Sequence, residues 1–196
     1  KHKLIQTKNI ILTPHLGAST REAKEGVSIG ICESVKDFLI ESKLSGALNI
    51  PLNDFSKLNE LAPFLDLAEK LGTTQAHFTE GVVDVIKIEC AGKINDPNPI
   101  TLSFLKGFLS NRVSERLNFI NAEAVATELG ITIEKSESSD SSGYSNIVRT
   151  TVSSSIGSKD IHGTVFDSKR MAFVHFMGYE LDIEPRGNIL FIKNKD

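Results

Sequence analysis

A histidine follows a short apolar run near the start of the chain, where Asn9-Ile10-Ile11-Leu12-Thr13 leads into Pro14-His15-Leu16-Gly17-Ala18-Ser19-Thr20. Imidazole takes up and returns protons near neutral pH, so His15 is a candidate general base and acid. A structural histidine satisfied by its neighbours fits the same residues. Other chemistries lack their signatures. The five histidines are scattered and neither C-x-x-C nor H-E-x-x-H occurs, so no metal site is expected. There is no G-x-S-x-G elbow and no G-x-x-x-x-G-K-[ST] phosphate loop. G-x-G-x-x-G is also missing, and a dinucleotide-binding βαβ unit needs about 30 residues. Too little chain precedes Pro14, so this chain alone is not expected to bind NAD well.

The elements that would hold His15 are a strand over 9–13, buried and closed by Pro14, and a helix running to about residue 40. Ser19 and Glu22 stand in capping-box register. Ala23, Val27, Ile31, Val35, Phe38 and Leu39 recur at helical spacing, which predicts a packed stripe. Gly26, Gly30 and Ser34 share a face and fit a crowded packing site. A strand end that opens a helix is where an α/β sheet presents side chains to a crevice, so the position of His15 suits catalysis.

The chain has 196 residues, 40% hydrophobic and 24% charged, which is enough to bury a core and excludes disorder, collagen and coiled coil as overall classes. A net charge of -3 gives no field for phosphate backbones or anionic lipid. Neither nucleic acid nor a membrane is an expected partner. Cys32 and Cys90 read as reduced, buried thiols, which favours the cytoplasm. The absence of an initiating Met suggests a fragment.

The pattern breaks between 42 and 54, with a short strand over 47–50, and this is the best domain boundary. Beyond it, Leu61, Phe64, Leu65, Ala68 and Leu71 form a helical stripe, with Gly72 at the position of a C-terminal cap. A strand is predicted over 82–94, with Val82, Asp84, Ile86, Ile88 and Cys90 facing a core. After the turn Asp96-Pro97-Asn98-Pro99, helices are predicted over 100–113 and 122–129, the second capped by Asn121 and stopped by Gly130. The period then changes to two, giving strands near 131–134, 146–155, 161–166, 170–176, 179–183 and 188–193, which favours antiparallel pairing. Residues 136–143 read as a mobile hairpin loop. The fold class is α+β: a strand–helix remnant, then a mainly antiparallel sheet packed with helices.

The string Pro14-His15-Leu16-Gly17-Ala18-Ser19-Thr20-Arg21-Glu22-Ala23 resembles the histidine motif of D-3-phosphoglycerate dehydrogenases, a branch of the D-2-hydroxyacid dehydrogenases. The similarity continues through Ala47-Leu48-Asn49-Ile50-Pro51. Residues 61–72 and Gly163-Thr164-Val165 resemble the intervening, allosteric substrate-binding domain of the long-form enzymes. Gly178-Tyr179-Glu180-Leu181-Asp182 and Gly187-Asn188-Ile189-Leu190 resemble its exit towards a small regulatory ACT domain.

This resemblance implies three parts: a catalytic-domain remnant with a linking helix over 1–46, a Rossmann-type remnant in origin; an intervening domain over 47–187; and the first ACT strand over 188–196. It implies an NAD-dependent enzyme of L-serine biosynthesis, an oligomer acting on a small phosphorylated 2-hydroxy acid. This fragment, lacking the rest of its polypeptide, would be inactive. His15 would be its acid–base residue, and Gly17 and Ala18 would lie beside the nicotinamide, although tight packing at the turn fits them too. Lys169, Arg170, His175 and Arg186 would supply an effector or anion site, though ordinary solvated charges beside strands fit them better. Glu184-Pro185-Arg186 departs from the basic residues expected at the domain exit. An anion-binding, oligomerising module without activity of its own, or an L-serine dehydratase-like domain, are the alternatives, and the Pro14-His15 motif argues against the second.

Overall fold

The structure is a computed structural model and describes residues 7–41, 55–94, 96–114, 116–167, 169–192 and 194, with the backbone alone for 55–59. The chain divides into two compact units, Lys1–Gly46 and Ala47–Asp196. The expected strand over 47–50 lies outside the described residues.

In the first unit, α1 (Arg21–Glu41) forms as the apolar spacing predicts, but its cap differs. Ser19 closes a turn by donating its N–H to the Leu16 carbonyl at 3.1 Å, so the next residue caps: Thr20 Oγ1 accepts from Ala23 N–H at 3.1 Å. Residues 9–13 form no strand, and Ile11 is 92% exposed. A buried strand needs ladder partners, and the described part of this unit supplies one helix and a turn. For the same reason the predicted stripe is not covered: α1 carries no buried residue, and Val27, Ile31 and Val35 are exposed. Cys32 is therefore exposed rather than buried, while Cys90 is buried as expected. The expected crowding at Gly26 and Gly30 is not observed either, since a Cβ at either position meets nothing within 4 Å.

The second unit is a helix layer on one face of a six-stranded sheet. Its elements are α2 (Phe55–Phe78), β1 (Val83–Gly92), α3 (Pro97–Leu109), α4 (Ala122–Glu128), β2 (Thr132–Ser138), β3 (Asn146–Ser154), β4 (Gly157–Phe166), β5 (Arg170–Phe176) and β6 (Tyr179–Ile183). The strand order is β2-β1-β3-β4-β5-β6. β1 pairs with β2 in parallel across the α3–α4 connection, and every other pair is antiparallel. The core lies between layers, where Leu67, Leu71, Phe104 and Phe108 meet Ile86, Ile88, Ile161 and Phe173. Gln75, fully buried, ties the layers by donating to the Lys159 carbonyl at 2.6 Å and accepting from Thr150 Oγ1 at 2.7 Å.

Several local expectations change for identifiable reasons. Helix α2 runs through Gly72, which is a packing residue and not a cap: a Cβ there would lie 2.1 Å from the Phe104 carbonyl oxygen. Helix α3 starts at Pro97, because the first-turn amides have no intrahelical acceptor and proline costs nothing there. Asp96 caps it, accepting from Asn98 N–H at 2.9 Å. Asn121 holds the cap position of α4, but its Oδ1 accepts from Asn118 N–H instead, at 2.8 Å. Gly130 stops that helix at φ 78° as predicted. An irregularity at Val83/Val85 turns Val83 into the core and leaves Val82 exposed.

Two loop expectations also change. Residues 136–138 of the expected 136–143 loop belong to β2, and the remainder is no hairpin, because β1 lies between β2 and β3. Residues 188–192 form no strand: Lys70 donates to the Pro185 carbonyl at 3.3 Å and Phe191 stacks on Phe176 at 4.1 Å, so side chains hold the segment where no ladder does.

Candidate functional site

The histidine turn is built from the Leu16–Ser19 hydrogen bond and the capped start of α1, which fix the backbone while leaving His15 exposed. Gly17 and Ala18 form the turn itself. A Cβ on Gly17 would meet nothing within 4 Å, so packing among the described residues does not require glycine there.

In the second unit, Arg170, at the start of β5, holds Asp182 through two hydrogen bonds of 2.8 and 3.1 Å and lies over the Phe166 ring. That side-chain hydrogen bond raises the Arg170 pKa and lowers that of Asp182. Arg186 pairs with Glu184 at 2.7 Å, and Lys169 is an exposed residue of the β4–β5 turn. His175 stands five residues from Arg170 along β5, roughly 16 Å of strand. The structure does not bring Arg170 and His175 together, and Arg170, His175 and Arg186 each face a carboxylate with which an incoming anion would compete.

The face of the sheet away from the helices carries a polar row that single-element patterns do not reveal. Ser136, Glu89, Arg149, His162, His175 and Glu180 are successive cross-strand partners, one from each strand. Arg149 pairs with Glu89 and also donates to the Asp140 carbonyl at 2.9 Å and Ser142 Oγ at 2.8 Å. The rings of His162 and His175 stack with centroids 4.5 Å apart. His175 Nε2 lies 2.6 Å from Asp160 Oδ2, and its Nδ1 lies 2.9 Å from Glu180 Oε1.

Burial, first, and then the neighbouring His175 push His162 down to about 4. An unfolded chain takes up that proton near pH 6.5. The contribution to stability is therefore complete above that pH and is lost as the pH falls towards the folded value. Urea unfolding in EDTA should show stability falling below about pH 6.5, with a shallower fall in His162→Asn. Identical pH slopes would contradict this. Cys90 takes no part in such chemistry, since burial, with Glu137 adding to it, pushes its thiol up to about 12.

Residues 60–177 match the family model described as the D-3-phosphoglycerate dehydrogenase intervening domain, and the chain belongs to that family. The D-3-phosphoglycerate dehydrogenase of Bacillus subtilis is 30% identical over 197 residues, covering 100% of this chain and 38% of the relative. That of Archaeoglobus fulgidus is 30% identical over 98% of this chain and 37% of its own length, and that of Synechocystis is 28% identical over 99% and 36%. The chain thus spans a little over a third of these relatives. The resemblance drawn from the His15 motif and the exit motifs agrees with these matches, which extend well beyond the family-model region in both directions.

Proposed function

We propose that this chain is the histidine turn and intervening region of a longer NAD-dependent phosphoglycerate dehydrogenase of L-serine biosynthesis, which oxidises the 2-hydroxyl group of 3-phosphoglycerate. The observation that carries this reading is the similarity to whole dehydrogenases over 98–100% of the chain, His15 included. In this reading His15 takes the substrate's hydroxyl proton on an imidazole nitrogen and returns it in the reverse direction. NAD, when bound, supplies the hydride acceptor.

Gly17 and Ala18 would hold the nicotinamide through their backbone. The fit is supported by the open space at the Gly17 Cβ position, where nothing beyond the glycine's chain neighbours lies within 4 Å. The glycine fingerprint, the carboxylate that orients His15 and the arginine that grips the substrate carboxylate are assigned to parts of the polypeptide beyond this chain. The intervening domain then serves as a folded spacer and interaction module of the same enzyme.

The full-length gene product is expected to form NADH from NAD and 3-phosphoglycerate, while the 196-residue chain forms none. The reading fails if the full-length protein does not reduce NAD with this substrate.

A further inference from the structure

The cluster on β4 and β5 lies outside the histidine turn to which the proposed function assigns proton transfer. Asp160 and His162 are two residues apart on β4 and so project from one face, and His175 is the cross-strand partner of His162. One donor atom from each of the three lies within 4.8 Å of the others. Donors around a tetrahedral ion at metal–ligand distances of about 2.1 Å are separated by about 3.4 Å. The separations here bracket that value: Asp160 Oδ2 is 2.6 Å from His175 Nε2 and 3.9 Å from His162 Nε2. The donor atoms of His162 and His175 lie within 4.8 Å of each other, and the broad χ2 torsion leaves stacked rings room to adjust.

The partners of His175 identify the atom that would bind. Glu180 takes the Nδ1 side at 2.9 Å, and the Gly178 backbone N–H approaches Nε2 as a donor at 3.1 Å. Both contacts suit the tautomer with the proton on Nδ1 and a lone pair on Nε2. That lone pair accepts the Gly178 N–H, a contact an ion would displace, and Nε2 also lies 2.6 Å from a carboxylate oxygen, an arrangement of two acceptors that needs a positive charge between them. His162 directs a second nitrogen at the same oxygen, which a proton on His175 alone would not use. A carboxylate on the far nitrogen of a ligating histidine is the usual outer-shell device for orienting it. The cation on the other side of the cluster, Arg149, is engaged by Glu89 and the 140–142 turn.

We propose that Asp160, His162 and His175 form a binding site for a divalent transition-metal ion of the zinc class, with Glu180 orienting His175 and water completing the coordination. An ion there clamps β4 to β5. The expectation of no metal rested on ligand spacing within one element, whereas this set is assembled across a strand pair.

The test uses the EDTA-stripped, tag-free 196-residue chain carrying Cys32→Ser, with Co2+ as the probe. One Co2+ should bind per chain, with the visible bands of low-symmetry four-coordinate cobalt, and Zn2+ should displace it. His162→Gln should weaken binding by at least about 10-fold, and Glu180→Gln by about 10-fold through loss of orientation. His175 also accepts the Gly178 N–H of the β5–β6 turn, so His162→Gln keeps the test valid if His175→Gln fails to fold. No saturable binding below millimolar Co2+, or equal affinity in wild type and His162→Gln, would overturn the site.

Discussion

A full-length enzyme carrying His15→Gln is expected to lose between about 10² and 10⁴ of its turnover with 3-phosphoglycerate. Glutamine preserves much of the size and hydrogen-bonding reach of histidine but cannot accept a proton near neutral pH, so under the proposed function the oxidation step would lose its base while the turn survives. That turn depends on the Leu16–Ser19 bond and the Thr20 cap, neither of which uses the imidazole. NADH affinity should therefore change little, and the loss should appear in kcat. Steady-state rates combined with an NADH titration separate the two effects. A variant within about threefold of wild type would remove His15 from the chemistry.

The largest expected effect on stability is at Gly72. A Cβ there would lie 2.1 Å from the Phe104 carbonyl oxygen and 2.8 Å from the Phe108 nitrogen. Both are backbone atoms of α3 and cannot rotate aside. Gly107 mirrors the arrangement, with its Cβ position 2.1 Å from the Glu69 carbonyl oxygen, so the two helices cross in backbone contact. Gly72→Ala must push α2 and α3 apart and loosen Leu71, Phe104 and Phe108, which are fully buried. The expected loss is about 3 kcal/mol, at the upper end of ordinary overpacking because no side chain can absorb the clash. Urea unfolding followed by circular dichroism measures it. A midpoint unchanged from wild type would show that the helices do not meet at these glycines.

Much of the second unit was legible because its signals are local. β5 and β6 begin and end where the alternation of apolar residues places them, and Gly130 ends α4 as a glycine at positive φ should. The failures are of a different kind. Residues 9–13 and 188–192 carry strand-like patterns, but a strand is a property of a pair, and no described ladder partner reaches either segment. Gly72 looks like a cap in one dimension and proves to be a contact between two helices.

The histidine cluster was hidden for a sharper reason. From Phe166↔Arg170 through Gly163↔Phe173, the β4–β5 register would place His162 opposite Val174. The irregularity between His162 and Gly163 shifts it to His175. An unbroken hairpin register already sets the two histidines near each other, but only the bulge makes them partners. His15 was legible by motif alone. Its exposure and the free space beside Gly17 are what the structure adds.

The central claim is that the His15 turn is one portion of a nicotinamide site whose other portions lie elsewhere in the polypeptide. Calorimetric titration of NADH into the 196-residue chain and into the full-length gene product tests it most directly. The expected result is saturable micromolar binding to the full-length protein and no heat from the chain. Micromolar binding of NADH by the chain alone would contradict it.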